Sequence, residues 1–557
     1  MFTVRKLILF GLSLLLAGTL SLSVPHPQEA QANPGHIVYN LYATDGYIQL
    51  ADGTKLYMYG FIGGREGQNA MYQNSVIAPP KSPKTYVPGG LVQPIAGNPC
   101  TTWQAPGANP ACEAQLAGNA QFPAPIIYAA VGDTVEIRLK NLGVTTKTAP
   151  NDPHSIHLHG LDVNAANDGV PETSVGAIPA NAAMLGAGNV IVYYFTPTHA
   201  GTYMYHCHQE ADIHVQMGMF GALVVYNPGE AGATTGPGTG GGTLMGWNYT
   251  KDYVLLLSEF DVNQHISEQQ GLGGTAAFNP VNYHPQYWTI NGLSFPQTIH
   301  VAPPVPPAGF VGNWFSQIWL PAHPGYDPLI VGSVGTGTSG DKVLLRMINM
   351  GFETQPMHMH GFHGKIIGSD QRAWTWSNDP INYPTGSGLE KNTLTIGSGE
   401  TYEWLLDFNT WAGRASGTYP AGLNQPPPGD PTTFTGGTQS RYYNGTPACQ
   451  TSLTQNGLAI PAVLNAPVSN VATGCPAILD PLVVPPGSYI GGPTVGPIYA
   501  LNNPEPLPGS VPGLLLRAGG FTAFDGQLFP FHNHDDYKAT NNGVYPGGMF
   551  TMIATVP

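Results

Sequence analysis

The chain has 557 residues, with 72 glycines, 54 prolines and only 9% charged side chains. That length suits two or three domains, and the composition is that of a loop-rich β protein, not a helical one. The formal charge of −14 argues against nucleic acid as a partner; it suits a cationic substrate, but more simply an ordinary soluble surface.

From the N-terminus, Arg5 and Lys6 precede an apolar run from Leu7 to about Val24, followed by Ala30-Gln31-Ala32. This predicts an export signal over 1–32 and not a retained anchor, because Gly11, Gly18 and Pro25 break the run. No other stretch is apolar enough to cross a bilayer. The mature chain is therefore expected in the periplasm, on the outer surface or outside the cell.

Two segments share one plan. The first runs Val131-Gly132-Asp133-Thr134-Val135-Glu136-Ile137, then has histidines at 154–159 and at 206–208. The second runs Gly340-Asp341-Lys342-Val343-Leu344-Leu345, then has histidines at 358–360 and at 532–534. Both close alike, on Gly218-Met219-Phe220 and on Gly548-Met549-Phe550. A duplicated β domain accounts for this. Apolar and β-branched runs at 253–257, 287–290 and 402–406 predict short strands, and many such strands between turns read as an all-β sandwich. The expected domains are 33–232 and 247–557, joined by a Gly/Thr-rich linker at 233–246. A long Pro/Gly-rich insertion at about 415–530 interrupts the second. Of five cysteines, Cys100/Cys112 and Cys449/Cys475 bracket loops and are expected as disulfides in an oxidising compartment, which leaves Cys207 over.

The neighbours of Cys207 give it a purpose. In a strand alternate side chains face opposite sides, so His206 and His208 face away from Cys207. His157 and His159 likewise share a face, with His154 on the other. One side then gathers His154, Cys207, His214 and Met219, with Met217 competing for the last place. Two imidazoles, a thiolate and a weak thioether are the ligand set of a blue, type 1 copper. The other sides offer four His-x-His pairs: His157/His159, His206/His208, His358/His360 and His532/His534. Zinc is the metal alternative, but its sites rarely use more than four ligands.

This pattern resembles the multicopper oxidases, the laccase and ceruloplasmin group built from cupredoxin domains. Residues 154–159 and 206–219 match the family's His-x-x-His-x-His and His-Cys-His motifs. The pairs 358/360 and 532/534 match those that complete its three-copper cluster. The resemblance implies two cupredoxin-like Greek-key β-sandwiches holding one type 1 copper, one type 2 copper and a type 3 pair. It implies dioxygen as electron acceptor and a phenol or a metal ion such as Mn(II) or Fe(II) as donor. Asp168 stands where small laccases carry a cluster aspartate, giving it a proton-delivery role beside its reading as a turn residue; Val163 stands where they carry a tyrosine. Electron entry is expected near His214 or His154, as the ligands closest to the surface. His199 and His363 fit no ligand position. The second copy has Gln355 in place of His154 and Asn533 in place of Cys207, so only the first can bind a blue copper. That layout is similar to two-domain oxidases with the blue copper in the N-terminal domain, which implies a homotrimer. Two rivals are a copper nitrite reductase, which needs fewer histidines, and an exported electron carrier, which needs one copper.

Overall fold

The computed structural model describes residues 35–68, 100–146, 152–179, 189–272, 280–298, 328–333, 340–374, 389–408 and 527–556, apart from a few positions within these ranges. The expected signal, the Cys449/Cys475 pair and nearly all of the insertion lie outside them. The first half consists of β1 (His36–Gln49), β2 (Lys55–Arg65), β3 (Ala124–Ala130), β4 (Thr134–Gly143), β5 (His157–His159), β6 (Val190–Phe195), β7 (Gly201–His206) and β8 (Phe220–Tyr226). They make two four-stranded sheets, β2-β1-β4-β6 and β3-β8-β7-β5. Leu41, Phe61, Ile137 and Tyr193 from the first sheet meet Ile127, Leu158, Tyr205 and Leu223 from the second in one core.

Period-two patterning is clear in β6, where Tyr193 and Phe195 are buried and Val192 and Tyr194 exposed. In β8 every residue is buried, because its sheet is covered on both faces. The outer cover is the second domain.

That domain follows the small hairpin β9 (Gly242–Leu244) and β10 (Trp247–Tyr249), which lies at the end of the segment expected as a linker. A helical turn, Gly232–Thr235, occupies the segment's start. Then come β11 (Lys251–Phe260), β12 (Tyr287–Ile290), β13 (Ile330–Ser333), β14 (Lys342–Asn349), β15 (Gln355–Met359), β16 (Gly364–Ser369), β17 (Arg372–Ala373), β18 (Leu389–Lys391), β19 (Thr393–Ile396), β20 (Thr401–Asp407), β21 (Gln527–Asn533) and β22 (Phe550–Val556). One sheet runs β12-β11-β14-β20-β16-β17, with β18 on β16; the other runs β13-β22-β21-β15-β19.

The duplication is visible in the pairing. β1 pairs antiparallel with β2 and parallel with β4; β11 does the same with β12 and β14. The order β3-β8-β7-β5 recurs as β13-β22-β21-β15. The chain is all-β in architecture, two cupredoxin-like sandwiches in tandem.

Tyr128, Met204 and Val224 of the first domain pack on Val254, Leu256 and Ile348 of the second. A buried polar network pins the same junction. Arg346 donates to Asp252 at 2.7 Å, Tyr226 donates to Asp252 at 2.8 Å, and the Thr202 amide on β7 donates to Glu403 at 2.8 Å. Cys100 and Cys112 form a disulfide, packed with Tyr42, Ile62 and Trp103. Among the described residues no helix is long and apolar enough to cross a membrane.

Candidate metal centres

The end of β7 carries His206 straight into Cys207, the one free cysteine among the described residues. Cys207 Sγ lies 3.4 Å from His214 Nδ1 and 3.9 Å from His154 Nδ1. The three form a group whose ligand atoms all lie within 4.8 Å of one another. His154 is held by paired backbone bonds with Ala177, at 2.9 and 2.7 Å. His214 ends a single helical turn, Ala211–His214, which follows Glu210 in a left-handed conformation.

Met217 and Met219 are both fully buried in the core that holds Cys207. Backbone bonds tie Met219 to the other members: Cys207 N donates to Met219 O at 2.9 Å, and Met219 N to His214 O at 3.0 Å. Met217 instead accepts from Tyr59 N. Gly218 between them has φ +108, and a Cβ there would lie 2.4 Å from Met58. Only glycine makes this turn without strain.

Burial governs the electrostatics. It pushes the Cys207 thiol up to about 11 and holds His214 down at about 3, while His154 is also lowered by burial and by His214. The pocket therefore offers two neutral imidazoles and a thiol that ionises only against a cation. His214 Nε2 is buried without a hydrogen-bond partner. Such a cluster of soft and borderline donors fits copper.

His214 and His154 do not lie close to the surface, contrary to the sequence-based expectation. His214 is 0% exposed and His154 2%. The cover includes Tyr59, whose ring lies 5.5 Å from that of His214 and 5.8 Å from that of His154. Tyr59 donates to Glu268 at 2.8 Å, on the second domain's helix Val262–Gln269. Neither residue carried a motif signal, since the contact spans two domains. Asp152 and Glu210 form a second group with His214, their candidate ligand atoms again within 4.8 Å of one another.

The two histidine quartets are built alike. On β5 and β7, His157 pairs directly with His206; on β15 and β21, His358 pairs with His532. The rings of His157 and His208 are 5.2 Å apart, and those of His358 and His534 are 4.9 Å apart. His159 and His206 are 6.0 Å apart, His360 and His532 5.2 Å.

Backbone carbonyls set the tautomers. His206 Nδ1 donates to Cys207 O at 2.9 Å and His532 Nδ1 to Asn533 O at 2.8 Å. His157 Nδ1 meets Asp168 O at 2.9 Å and Asp168 Oδ1 at 3.1 Å. Nε2 is thereby left as the lone-pair nitrogen, as metal-binding histidines require. Burial lowers His206 to about 3 and also lowers His159, His358, His360 and His532. His360 Nε2 and His532 Nε2 approach to 3.1 Å. Gly169, at φ +73, holds Asp168 close, because a Cβ there would strike Ile156 O at 2.1 Å. His199 and His363 are exposed.

Among the described residues no ring contact joins one quartet to the other. His159 and His206 instead line a cavity of about 270 Å³ with Met350, Phe352, Ser398 and Gly399 of the second domain.

In the second copy the position of the sulfur set is closed by hydrogen bonds. Asn533 donates to Gln355 at 2.6 Å and to the Met549 sulfur at 3.5 Å, and Gln355 donates to Glu259 at 2.7 Å. Asn533 N bonds Met549 O at 2.9 Å, as Cys207 N bonds Met219 O.

Known protein families match both halves of the chain. A multicopper oxidase family model matches residues 103–230, and a second multicopper oxidase model matches residues 326–414. Each half of the chain thus carries a segment that matches a multicopper oxidase domain. The multicopper oxidase models imply copper as the bound metal. Laccase-3 of Botryotinia fuckeliana is 30% identical over 296 residues, which is 52% of this chain and 49% of that protein. Iron transport multicopper oxidase fetC of Epichloe festucae is 34% identical over 131 residues, 23% of this chain and 18% of that one. Copper resistance protein A of Pseudomonas syringae pv. tomato is 35% identical over 111 residues, 20% and 15% of the two chains. The matched region thus spans half the length of the laccase and under a fifth of the other two. A blue copper oxidase structure from Nitrosomonas europaea aligns over 93% of this chain and 85% of its own, at 18% identity and TM-score 0.43.

Proposed function

We propose that this chain is an exported oxidoreductase that couples four one-electron oxidations at a type 1 copper in its first domain to reduction of dioxygen to water at a trinuclear copper cluster. The carrying observation is the position of Cys207. Its sulfur faces His154 and His214 while its neighbours His206 and His208 belong to the first quartet, so one short peptide links the two donor sets. The metal ligands are His154, Cys207, His214 and Met219 for the first site, and His157, His159, His206, His208, His358, His360, His532 and His534 for the cluster.

Bound copper supplies the one-electron couple and the coordination that dioxygen needs. The chain's own residues supply the rest. Ser155 N donates to Cys207 Sγ at 3.4 Å and Ser155 Oγ accepts from His208 N at 3.2 Å, which orients the thiolate and the adjoining quartet together. Asp168 orients His157 and is placed to hand on a proton beside it. Full burial keeps water from Cys207.

The eight-histidine array is assembled between subunits of a homotrimer, the first quartet of one chain with the second of its neighbour. The layout, with the His-Cys-His motif in the first domain and plain His-x-His pairs in the second, supports this. The electron donor is a phenol or a metal ion such as Mn(II) or Fe(II); the relatives named laccase and iron transport multicopper oxidase support either class. A nitrite reductase is disfavoured by His208, His358, His360 and His534, which its chemistry leaves without a task.

The test is oxygen uptake by the copper-loaded protein with a phenol, ferrous or manganous donor. The reading expects one dioxygen consumed for four electrons taken and no hydrogen peroxide released. Reduction of nitrite, or no oxygen uptake with any of the three donors, would overturn it.

A further inference from the structure

We propose that Tyr47, Tyr57 and Tyr59 form an electron relay, through which an aromatic one-electron donor too large to reach the buried copper ligands is oxidised at the protein surface. The proposal rests on the copper reading above and names the donor class and its point of entry.

The need for a relay follows from burial. Cys207, His214 and Met219 are 0% exposed and His154 is 2% exposed. A donor at the surface has no ligand atom to touch. Among the described residues Tyr59 is the one side chain outside the ligand set whose aromatic ring contacts both ligand histidines.

The strand geometry then continues outward. Tyr57 and Tyr59 are two apart on β2 and so share a face. Tyr47 on β1 pairs directly with Tyr57 across the antiparallel ladder. Ring centroids lie 5.7 Å apart for Tyr57 and Tyr59 and 5.4 Å apart for Tyr47 and Tyr57. Tyr57 and Tyr59 are buried, and Tyr47 is half-buried. The series thus runs from the copper ligands to the surface in three short steps.

The hydroxyls distinguish this series from packing. Phenylalanine would fill the same core, and each buried phenol instead needs a partner. Tyr57 donates to Asp45 at 3.0 Å and Tyr59 donates to Glu268 at 2.8 Å. A phenol loses an electron readily only when its proton can leave with it, and each buried tyrosine has a carboxylate placed to take that proton. Tyr47 accepts from Gln269 at 2.6 Å and, being half-buried, can release its proton to solvent.

The balance closes. Tyr59 gives an electron to the oxidised type 1 site and its proton to Glu268, and becomes a neutral tyrosyl radical. Tyr57 refills it with an electron while Glu268 returns the proton, and Asp45 serves Tyr57 in the same way. Tyr47 gives its electron to Tyr57 and its proton to water. A phenol at the surface then gives Tyr47 an electron and a proton, leaving as a phenoxyl radical. One electron has entered the protein and one proton has left to solvent.

The experiment uses copper-loaded, fully reduced protein and photogenerated ruthenium(III) tris-bipyridine, an oxidant too large to reach the buried histidines. Growth of the thiolate-to-copper absorption after a flash reports oxidation of the type 1 site through the protein. Relative to wild type, Tyr57→Phe is expected to slow this growth about tenfold or more and to strand a tyrosyl radical on Tyr47. Tyr47→Phe is expected to slow it similarly with no stranded radical. The midpoint potential should be unchanged in both, which a merely structural role for the hydroxyls would not guarantee. Growth at the wild-type rate in both variants overturns the relay while leaving the copper reading intact. Absence of the absorption in oxidised wild type overturns the copper reading and the relay with it.

Discussion

Cys207, His154 and His214 meet around one point although His154 is 53 residues from the cysteine in sequence. Period-two alternation made this legible, because a strand must put Cys207 and its flanking histidines on opposite sides. Substituting Cys207→Ser is expected to abolish the visible absorption of the copper-loaded protein while leaving its far-ultraviolet circular dichroism unchanged. Retention of the absorption would remove the thiolate from the account. Asp168 touches His157 through both its carbonyl and its carboxylate. Asp168→Asn should lower oxygen uptake about 10–100-fold with the blue absorption intact, as loss of an outer partner does at metal sites. Wild-type uptake would leave Asp168 a turn residue. What the sequence did not disclose is the burial of His154 and His214. Tyr59 packs on both rings, and its partner Glu268, 209 residues away, meets it only through the packing of two domains.

At the scale of elements, the strand read at 287–290 is Tyr287–Ile290 itself, while those read at 253–257 and 402–406 extend to Lys251–Phe260 and Thr401–Asp407. Their apolar and β-branched runs gave the type, and burial on both faces of β11 hid its true ends. The parallel pairing of β1 with β4 carries no local signal, since it is a long-range register. Where the second copy has Gln355 and Asn533 in place of His154 and Cys207, the structure adds Glu259 beneath them. Burial raises Glu259 to about 7 from 4.5. The native state then holds that proton more tightly than the unfolded chain, so stability present below pH 4.5 falls as pH rises through about 7. The loss is on the order of 3 kcal/mol. Urea midpoints taken between pH 4.5 and 7.5 should fall for the wild type and flatten in Glu259→Gln. An equal slope in both would show that Glu259 is ionised throughout, held by its donors from Tyr283, Glu353 and Gln355.

For the whole molecule, the duplication explains why each domain carries its own histidine quartet. Equivalent sheets carry equivalent histidine pairs, and within one chain the two sets make no ring contact. Co-expression of His157→Ala/His159→Ala chains with His358→Ala/His360→Ala chains is expected to restore oxygen uptake that neither has alone, because one interface of a mixed trimer keeps both quartets whole. No restoration would place the cluster within a single chain. At the junction, Arg346 and Asp252 are each 1% exposed. Arg346→Ala leaves a buried carboxylate unmatched and should cost about 3–5 kcal/mol, read as a shift in urea midpoint. A shift under about 1 kcal/mol would show that water or Tyr226 takes over the charge. One blue site and one three-copper cluster per chain would show in the copper content of the copper-loaded protein, measured together with its visible and electron paramagnetic resonance spectra. The expected result is about four coppers per chain, an intense thiolate absorption and both type 1 and type 2 signals. One copper per chain with a type 1 signal alone would contradict it and leave an electron carrier in its place.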